Sequence, residues 1–266
     1  FVIIDNRQTI TNLTKEQIVK ICDRKFIGCD QLILIKKNDE SDASLEFYNS
    51  DGGISGACGN GTRCIADLLG KENNKKEIVL TTLSGKLKSN IVGKKIVSTE
   101  IGIAKTKWDE IPLSKELNTN NLGIKIFDKN NNEFSGGTAV NVGNPHIIFF
   151  VDNNENFEIK KIGPEIENHS LFPEKCNVTL ATVVNKALVK VRVWERGAGL
   201  TKACGTAACA TAFAAKQNRL VNDKVDIEFS TGRLNISIDE NNSIHMKGPV
   251  SDLSLIHISE PTRLRR

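Results

Sequence analysis

Two cysteines occupy matching positions in the sequence. Cys58 and Cys204 each follow an alanine and precede a glycine, after a glycine-rich turn and before a helix-forming segment. The first amides of a helix lack internal partners and carry the positive end of the helix dipole, so a thiol there ionises more readily and a carboxylate binds. The pattern predicts acid–base chemistry on an anionic substrate, with thiol pKa values lowered from about 8.5 towards neutrality.

The spacing of the two cysteines indicates a repeated unit. They lie 204 − 58 = 146 residues apart, roughly half of the 266-residue chain, which is typical of a duplicated domain. With one thiol in each half, a thiolate on one side of a carbon atom can remove the α-proton while a thiol on the other side delivers a proton. We therefore predict a racemase or epimerase that needs no cofactor.

Three other interpretations of the cysteines stay open. Cys58 and Cys204 can be small buried side chains of the core. They can form a zinc site with Cys64 and Cys209, although spacings of six and five residues (64 − 58 and 209 − 204) do not match structural zinc sites. A disulfide between Cys58 and Cys204 is the third, and it would inactivate an enzyme of this kind. We assign the remaining cysteines to the core: Cys22, Cys29, Cys64, Cys176 and Cys209.

The surrounding elements are predicted to be many short strands and few helices. Before Cys204, valines alternate with charged residues over 188–194 and predict a strand, and the alanine-rich segment up to Gln217 favours a helix. A capping box predicts a helix at residues 14–22, and apolar residues predict another after Cys64. Strands are predicted at residues 1–5, 32–35, 45–48, 77–82, 86–92, 95–103, 123–127, 138–142, 147–151, 178–184, 188–194, 225–230, 234–238 and 244–246.

The composition excludes several classes of protein. The chain has 39% hydrophobic and 26% charged residues and a net charge of +4 spread over short mixed runs, so no basic stripe for nucleic acid is present. No apolar run approaches the roughly eighteen residues of a membrane span, and no signal peptide is recognisable. Seven cysteines without a small-scaffold pattern indicate reduced thiols. We expect a cytoplasmic protein that binds neither nucleic acid nor membranes.

Several motifs in a fixed order resemble one family. They are residues 58–64 (CGNGTRC), 143–146 (GNPH), 163–169 (GPEIENH), 172–177 (FPEKCN), 194–199 (WERGAG) and 203–206 (ACGT). Over roughly residues 1–250 the sequence resembles diaminopimelate epimerase. The resemblance implies a cofactor-independent isomerase, acting as a homodimer, that interconverts LL- and meso-2,6-diaminopimelate in the biosynthesis of lysine and of peptidoglycan precursors.

The resemblance also implies a fold and a site. The expected fold is α/β (α+β), with two pseudo-symmetric domains, each a curled antiparallel sheet or barrel around a central helix, and the active site in the cleft between them. Cys58 and Cys204 match the catalytic pair, and His146 and Glu195 match residues that tune the thiol pKa values. The substrate-binding residues implied are Gln31, Asn49, Gly59, Asn60, Asn144, Asn177, Glu195, Arg196, Gly205 and Thr206. No metal is expected.

The sequence is expected to form two domains followed by a short non-native segment. We place an N-terminal domain, cut at its start, at residues 1–111 and a C-terminal domain at 112–249, with the polar segment 108–121 as a link. Residues 250–252 are expected to begin a strand that returns to the first domain. Residues 253–266 resemble translated adapter sequence and are expected to be non-native.

The rival functions are a proline or hydroxyproline racemase-like enzyme of the same fold and a non-catalytic thiol- or metal-binding protein.

Overall fold

One long sheet runs through most of the chain. The computed structural model describes residues 1–8, 11–56 and 58–252, and over these residues it has 17 strands, four α-helices and one 3-10 helix. Fifteen strands belong to the long sheet and two form a separate hairpin. None of the helices described is long and apolar enough to cross a membrane.

The first half contributes seven strands and two helices. Strands β1–β7 are Val2–Asn6, Gln31–Lys36, Ala43–Asn49, Ile54–Ser55, Glu77–Thr82, Gly85–Gly93 and Ile96–Ile103. Helices α1 and α2 are Lys15–Cys22 and Gly59–Asn73. The strands pair in the order β1-β2-β3-β5-β6-β7, with β4 on β3, and α2 packs against β5, β6 and β7.

The second half repeats this plan around another helix. Strands β8–β17 are Ile124–Phe127, Glu133–Gly136, Thr138–Asn141, Pro145–Phe150, Asn177–Asn185, Leu188–Glu195, Gly199–Thr201, Lys224–Phe229, Gly232–Ile238 and Ser243–Pro249. Helices α3 and α4 are Ile159–Glu167 and Gly205–Gln217, and the 3-10 helix is Asn154–Asn156. The strand order is β10-β11-β12-β13-β15-β16-β17, with β14 on β13 and β8 paired with β9.

The long sheet continues from one half to the other through one pair of strands. β17 lies antiparallel to β7, from Ser243 opposite Ile103 to Pro249 opposite Ile96. Four pairs elsewhere are parallel, namely β1-β2, β3-β5, β11-β12 and β13-β15. In each of these pairs one of the four α-helices lies between the strands along the chain, because a parallel connection needs a crossover. The predicted α/β class is confirmed, although its sheets are mixed rather than purely antiparallel.

Local sequence features favour helices α1 and α4. The predicted capping box of α1 is confirmed, because the Thr14 hydroxyl accepts from the Gln17 amide at 3.3 Å while the Gln17 side chain accepts from the Thr14 amide at 2.8 Å. In α4, eight residues are buried, most of them alanines. Small side chains all round a helix let strands approach from several directions, and α4 packs against β10, β11, β12, β15, β16 and β17.

Helix α3 is not predicted by the sequence patterns above. It contains Gly163 and Pro164, which are typical of turns. Ile159, Ile162 and Ile166 are nevertheless buried at helical spacing. Packing of this apolar face against the second half outweighs the weak local preference for a helix.

Two expectations about connecting segments need correction. The segment 108–121, expected to be a polar link, belongs to the core of the second half, because Ile111 and Leu113 are buried in one cluster with residues of β11. Strand β17 itself returns to the first half, and residues 250–252 follow it without forming a strand, with the Val250 amide donating to Lys95 O at 3.0 Å. The expected adapter-derived segment 253–266 lies outside the described residues.

Candidate active site

Cys58 caps the N-terminus of α2. Its backbone is extended (φ −141°, ψ 106°), and its Sγ accepts a hydrogen bond from the Gly61 amide at 3.4 Å, as a serine or threonine would at this position. Burial raises the pKa of the Cys58 thiol to about 11, while the amides of Gly61 and Asn60 and the charge of Arg63 act in the opposite direction. The thiol is therefore protonated at neutral pH in this structure.

Cys204 occupies the same position at the start of α4. Its backbone is extended in the same way (φ −144°, ψ 118°), and its Sγ lies 3.4 Å from the Thr206 hydroxyl. Only 6% of the residue is exposed. Burial raises the pKa of this thiol well above its usual range, and the negative charge of the nearby Glu195 carboxylate raises it further.

The thiol pKa values correct an expectation from the sequence. A helix N-terminus was expected to bring Cys58 and Cys204 towards neutrality, but burial outweighs the amide donors at both positions. The two surroundings differ in sign, because a guanidinium faces Cys58 and a carboxylate faces Cys204. The neighbouring charges therefore favour ionisation of Cys58 and oppose ionisation of Cys204.

The starts of α2 and α4 meet at Met246 on β17. A Cβ placed on Gly59 would lie 2.3 Å from Met246 Cε, and one placed on Gly205 would lie 3.1 Å from Met246 Sδ. The same position on Gly205 is 3.8 Å from Asn60 Oδ1. Glycine at the first residue of each helix leaves room for the Met246 side chain between them. The structure therefore brings the two cysteine-capped helix ends together, one from each half of the chain.

A line of polar side chains leads from β11 to Cys204. Asn144 Oδ1 accepts a hydrogen bond from His146 Nε2 at 2.8 Å, and Asn144 Nδ2 donates to the Thr206 hydroxyl at 3.5 Å. Thr206 in turn contacts Cys204. Burial, with the charge of Arg196, lowers the pKa of His146 to about 3, so the imidazole is neutral. His146 thus reaches the thiol through Asn144 and Thr206.

The turn that carries Glu195 and Arg196 is held from two sides. Asn177 Oδ1 accepts from the Arg196 amide at 3.0 Å, and Asn177 Nδ2 donates to Pro145 O at 3.0 Å. The buried Glu167 carboxylate accepts from the Gly197 amide at 3.0 Å and, through its second oxygen, from Trp194 Nε1 at 2.7 Å. These bonds fix the backbone around Glu195. The Arg196 side chain is exposed, and its Nη1 donates to Glu174 O at 2.8 Å.

Gln31 and Asn49 form a pair in the first half. They lie opposite each other on β2 and β3, and Gln31 Nε2 donates to Asn49 Oδ1 at 2.9 Å. Ile33 and Phe47, two residues along the same strands and on the same face, pack against Gly61 of α2. The amide pair therefore lies on the face of β2 and β3 that packs against α2.

The other cysteines lie away from the two helix starts or inside the helices. All seven cysteines are free thiols, and Cys22, Cys29, Cys176 and Cys209 are buried while Cys64 is half-buried. Within the described part of the chain, no three histidine, cysteine, aspartate or glutamate side chains are grouped closely enough to hold a metal ion. The zinc interpretation of Cys58, Cys64, Cys204 and Cys209 therefore lacks geometric support.

Comparison with known protein families is consistent with this arrangement. A family model described as diaminopimelate epimerase matches residues 1–107 and 138–253, which include both Cys58 and Cys204. The chain belongs to the diaminopimelate epimerase family. The resemblance stated from the motifs is thereby confirmed. The unmatched segment between the two parts contains the β8-β9 hairpin.

Individual relatives agree with membership of the diaminopimelate epimerase family. A diaminopimelate epimerase of Pelagibacter ubique is 70% identical over 258 residues, covering 97% of this chain and 94% of the relative. Solved structures share the fold at low identity. A predicted epimerase from Pseudomonas aeruginosa has a TM-score of 0.66 at 14% identity (95% and 90% of the two chains covered). A probable proline racemase from Agrobacterium radiobacter has a TM-score of 0.67 at 10% identity (94% and 82% covered).

Three residues near the site are absent from the sequence-based assignment. Met246 carries no chemical signal in the sequence, and its place between the helix starts depends on the pairing of β17 with β7. Glu167 and Arg63 lie within the quoted motifs, but charged residues are usually exposed, whereas these are 7% and 4% exposed. Their position inside these motifs is the only signal that the sequence offers for them.

Proposed function

We propose that this chain is a cofactor-independent isomerase that interconverts LL- and meso-2,6-diaminopimelate, with Cys58 and Cys204 as its catalytic pair. The observation that supports it most is the meeting of two cysteine-capped helix starts at Met246. A chain 70% identical that bears the name diaminopimelate epimerase supports the choice of substrate. The pathway served is the biosynthesis of lysine and of peptidoglycan precursors.

The reaction needs one thiolate and one thiol. The thiolate removes the α-proton from one face of the carbon atom, and the electron pair of the broken C–H bond spreads onto the adjacent carboxylate. The thiol on the opposite face then donates its proton to the same carbon, which inverts the centre. The proton lost by the substrate stays on the first sulfur, so the two cysteines exchange roles and no redox change occurs.

Charged neighbours favour different protonation states of the two thiols before the substrate reacts. The guanidinium of Arg63 favours a thiolate at Cys58, whereas the carboxylate of Glu195 favours a protonated thiol at Cys204. Glu195 can also take the proton of Cys204 when that cysteine has to act as the base. We therefore assign Glu195, and His146 through Asn144, to the control of proton transfer at Cys204.

The reacting carboxylate is expected to bind between the two helix starts. The first amides of α2 and α4, at Gly59, Asn60, Gly205 and Thr206, have no partners within their helices and carry positive dipole ends. Donors aimed at the carboxylate stabilise the negative charge that develops on it in the transition state. The proposal therefore uses the same backbone groups for binding and for catalysis.

The second amino-acid centre of the substrate needs its own contacts. We assign them to the side chains that match the family's contacts: Gln31, Asn49, Asn144, Asn177, Glu195 and Arg196. Asn144 supports this assignment, because its side chain donates to Thr206 at the start of α4. Arg196 can hold a carboxylate with two hydrogen bonds. Because a proline or hydroxyproline substrate has no second amino-acid centre, these residues favour diaminopimelate over the racemase alternative.

The test is proton exchange with the purified protein in D₂O. LL-diaminopimelate should be converted to the meso isomer with deuterium at one α-carbon, while L-proline should remain unlabelled. Cys58→Ala and Cys204→Ala should each abolish inversion, and Cys64→Ala on the same helix as Cys58 serves as the control. Labelling of proline instead of diaminopimelate would favour the racemase alternative. If neither substrate exchanges its α-hydrogen with solvent, the proposal that the chain is an enzyme of this kind is rejected.

Homodimerisation and a cytoplasmic location are part of the proposal through the family resemblance. Light scattering coupled to gel filtration tests the first, with twice the 29.2 kDa chain mass as the expected result. A single chain mass at micromolar concentration would contradict it.

A further inference from the structure

Arg63 is a buried cation without a carboxylate partner. It lies on the first turns of α2 and is 4% exposed. Among the described residues, no aspartate or glutamate forms an ion pair with its guanidinium, and its Nε atom has no hydrogen-bond partner. A buried charge without a counter-charge is costly, and arginine cannot relieve the cost by losing its proton at neutral pH. The fold thus keeps a positive charge at a place where stability alone does not call for one.

The guanidinium is directed at the site proposed above. Arg63 Nη2 donates to Asn60 Oδ1 at 2.8 Å, and Nη1 lies 3.5 Å from Gly59 O. Because Asn60 Oδ1 is occupied by this bond, the amide group of Asn60 is oriented and its NH₂ remains available as a donor. The Asn60 side chain also lies against Gly205, so Arg63 fixes a group at the junction of α2 and α4.

Strand β17 is shaped to admit the guanidinium. A Cβ on Gly248 would lie 3.2 Å from Arg63 Nη2 and 2.7 Å from the Leu234 side chain. The glycine therefore allows the backbone of β17 to come close to the charged group. Arg63 thus contacts the strand that also carries Met246, which lies between the two helix starts.

The titratable groups facing Arg63 are thiols. Its positive charge interacts with Cys58 at the start of α2, with Cys64 of α2 and with Cys209 of α4. On β17 the nearby residue is Gly248, which has no side chain to titrate. Cys209 is fully buried inside α4 and Cys64 faces the core of the first half. Of the three thiols, only Cys58 stands at a helix start where an anion can be used.

We propose that Arg63 is a positioning residue of the site, which orients Asn60 at the junction of the helix starts and supplies the positive charge against which the Cys58 thiolate forms. The inference rests on the proposed function, since it explains how one of the two catalytic thiols becomes the base. It assigns a role to a side chain that does not touch the substrate.

The test measures the alkylation of individual cysteines by iodoacetamide between pH 7 and pH 10.5, followed by mass spectrometry of the peptides. In Arg63→Met, which keeps the length of the side chain without its charge, the rate at Cys58 should fall about tenfold at each pH, because one unit of pKa is a tenfold change in thiolate. Arg63→Lys should recover most of this rate. The rate at Cys204 in the same samples should change less than about twofold.

Arg233→Met, at an exposed arginine of β16, is the matched control and should leave both rates unchanged. An unchanged rate at Cys58 in folded Arg63→Met would overturn the role of Arg63, even with wild-type protein active on diaminopimelate. Inactive wild-type protein whose Cys58 rate still depends on Arg63 would instead refute the proposed function. Unfolding of both Arg63 variants, seen by circular dichroism, would also overturn the inference, because the fold rather than the site would then require the guanidinium.

Discussion

The burial of His146 predicts a specific loss of stability in acid. His146 is fully buried on β11, its Nε2 donates to Asn144, and its Nδ1 has no partner among the described residues. Burial and the charge of Arg196 lower its pKa from 6.5 to about 3. The folded protein therefore keeps this imidazole neutral at a pH where the unfolded chain binds a proton.

The sign and size of the effect follow from this difference. Above pH 6.5 His146 is neutral in both states and contributes nothing to the pH dependence. Below pH 6.5 the unfolded state binds more protons than the folded state, so the free energy of unfolding falls by about 1.4 kcal/mol per pH unit. The loss reaches about 3 kcal/mol at pH 4.5 and levels off near 5 kcal/mol once the pH passes the folded pKa of about 3.

Urea unfolding between pH 4.5 and pH 8 measures this contribution against His146→Gln, whose amide can still donate to Asn144 but does not titrate. The variant should lose less stability than the wild type on acidification, by about 3 kcal/mol at pH 4.5. Parallel curves for the wild type and His146→Gln would refute the claim that His146 is neutral through burial.

Three further results are expected. Gly163→Ala would place a Cβ 2.4 Å from Trp194 Cγ and should lower the free energy of unfolding in urea by about 1–3 kcal/mol. Gly93→Ala is the control and should leave this free energy unchanged, because the nearest neighbour of its Cβ lies at 3.7 Å. Equal effects of the two substitutions would contradict the packing of α3 on β13. Alkylation of wild-type Cys58 should rise about tenfold per pH unit through pH 10, because its pKa is about 11, and a plateau near pH 8 would contradict this. Arg196→Lys should raise KM about tenfold with little change in kcat, and a matching fall in kcat with KM unchanged would contradict its binding role.

Local patterns in the sequence predict most of the individual elements. Strand Glu77–Thr82 has the predicted limits, and the capping box of Thr14 and Gln17 starts α1 as expected. Alternation of apolar and polar side chains and helix capping depend on residues that are close together in the chain, so both can be recognised in the sequence. Helix α3 escapes prediction because its stability comes from burial against distant residues, and Gly163 serves contact with Trp194 rather than a turn.

The candidate site is predictable in part for the same reason. The matching settings of Cys58 and Cys204 indicate a pair, and the structure brings the two helix starts into contact through Met246. That contact depends on pairing between β7 and β17, whose paired residues lie 140 or more positions apart in the chain (243 − 103 = 140). The thiol pKa values depend on burial and on Arg63 and Glu195, which local patterns do not encode.

The two-thiol mechanism makes one measurement decisive. A thiol carries a single exchangeable hydrogen, so in D₂O the cysteine that donates to the inverted carbon delivers deuterium, and the hydrogen removed from the substrate remains on the other sulfur. At low conversion of LL-diaminopimelate, mass spectrometry and NMR should therefore find the meso product fully deuterated at one α-carbon and the remaining substrate unlabelled. Meso product that retains the original α-hydrogen would show that one group both removes and returns the proton, and would contradict the pairing of Cys58 with Cys204.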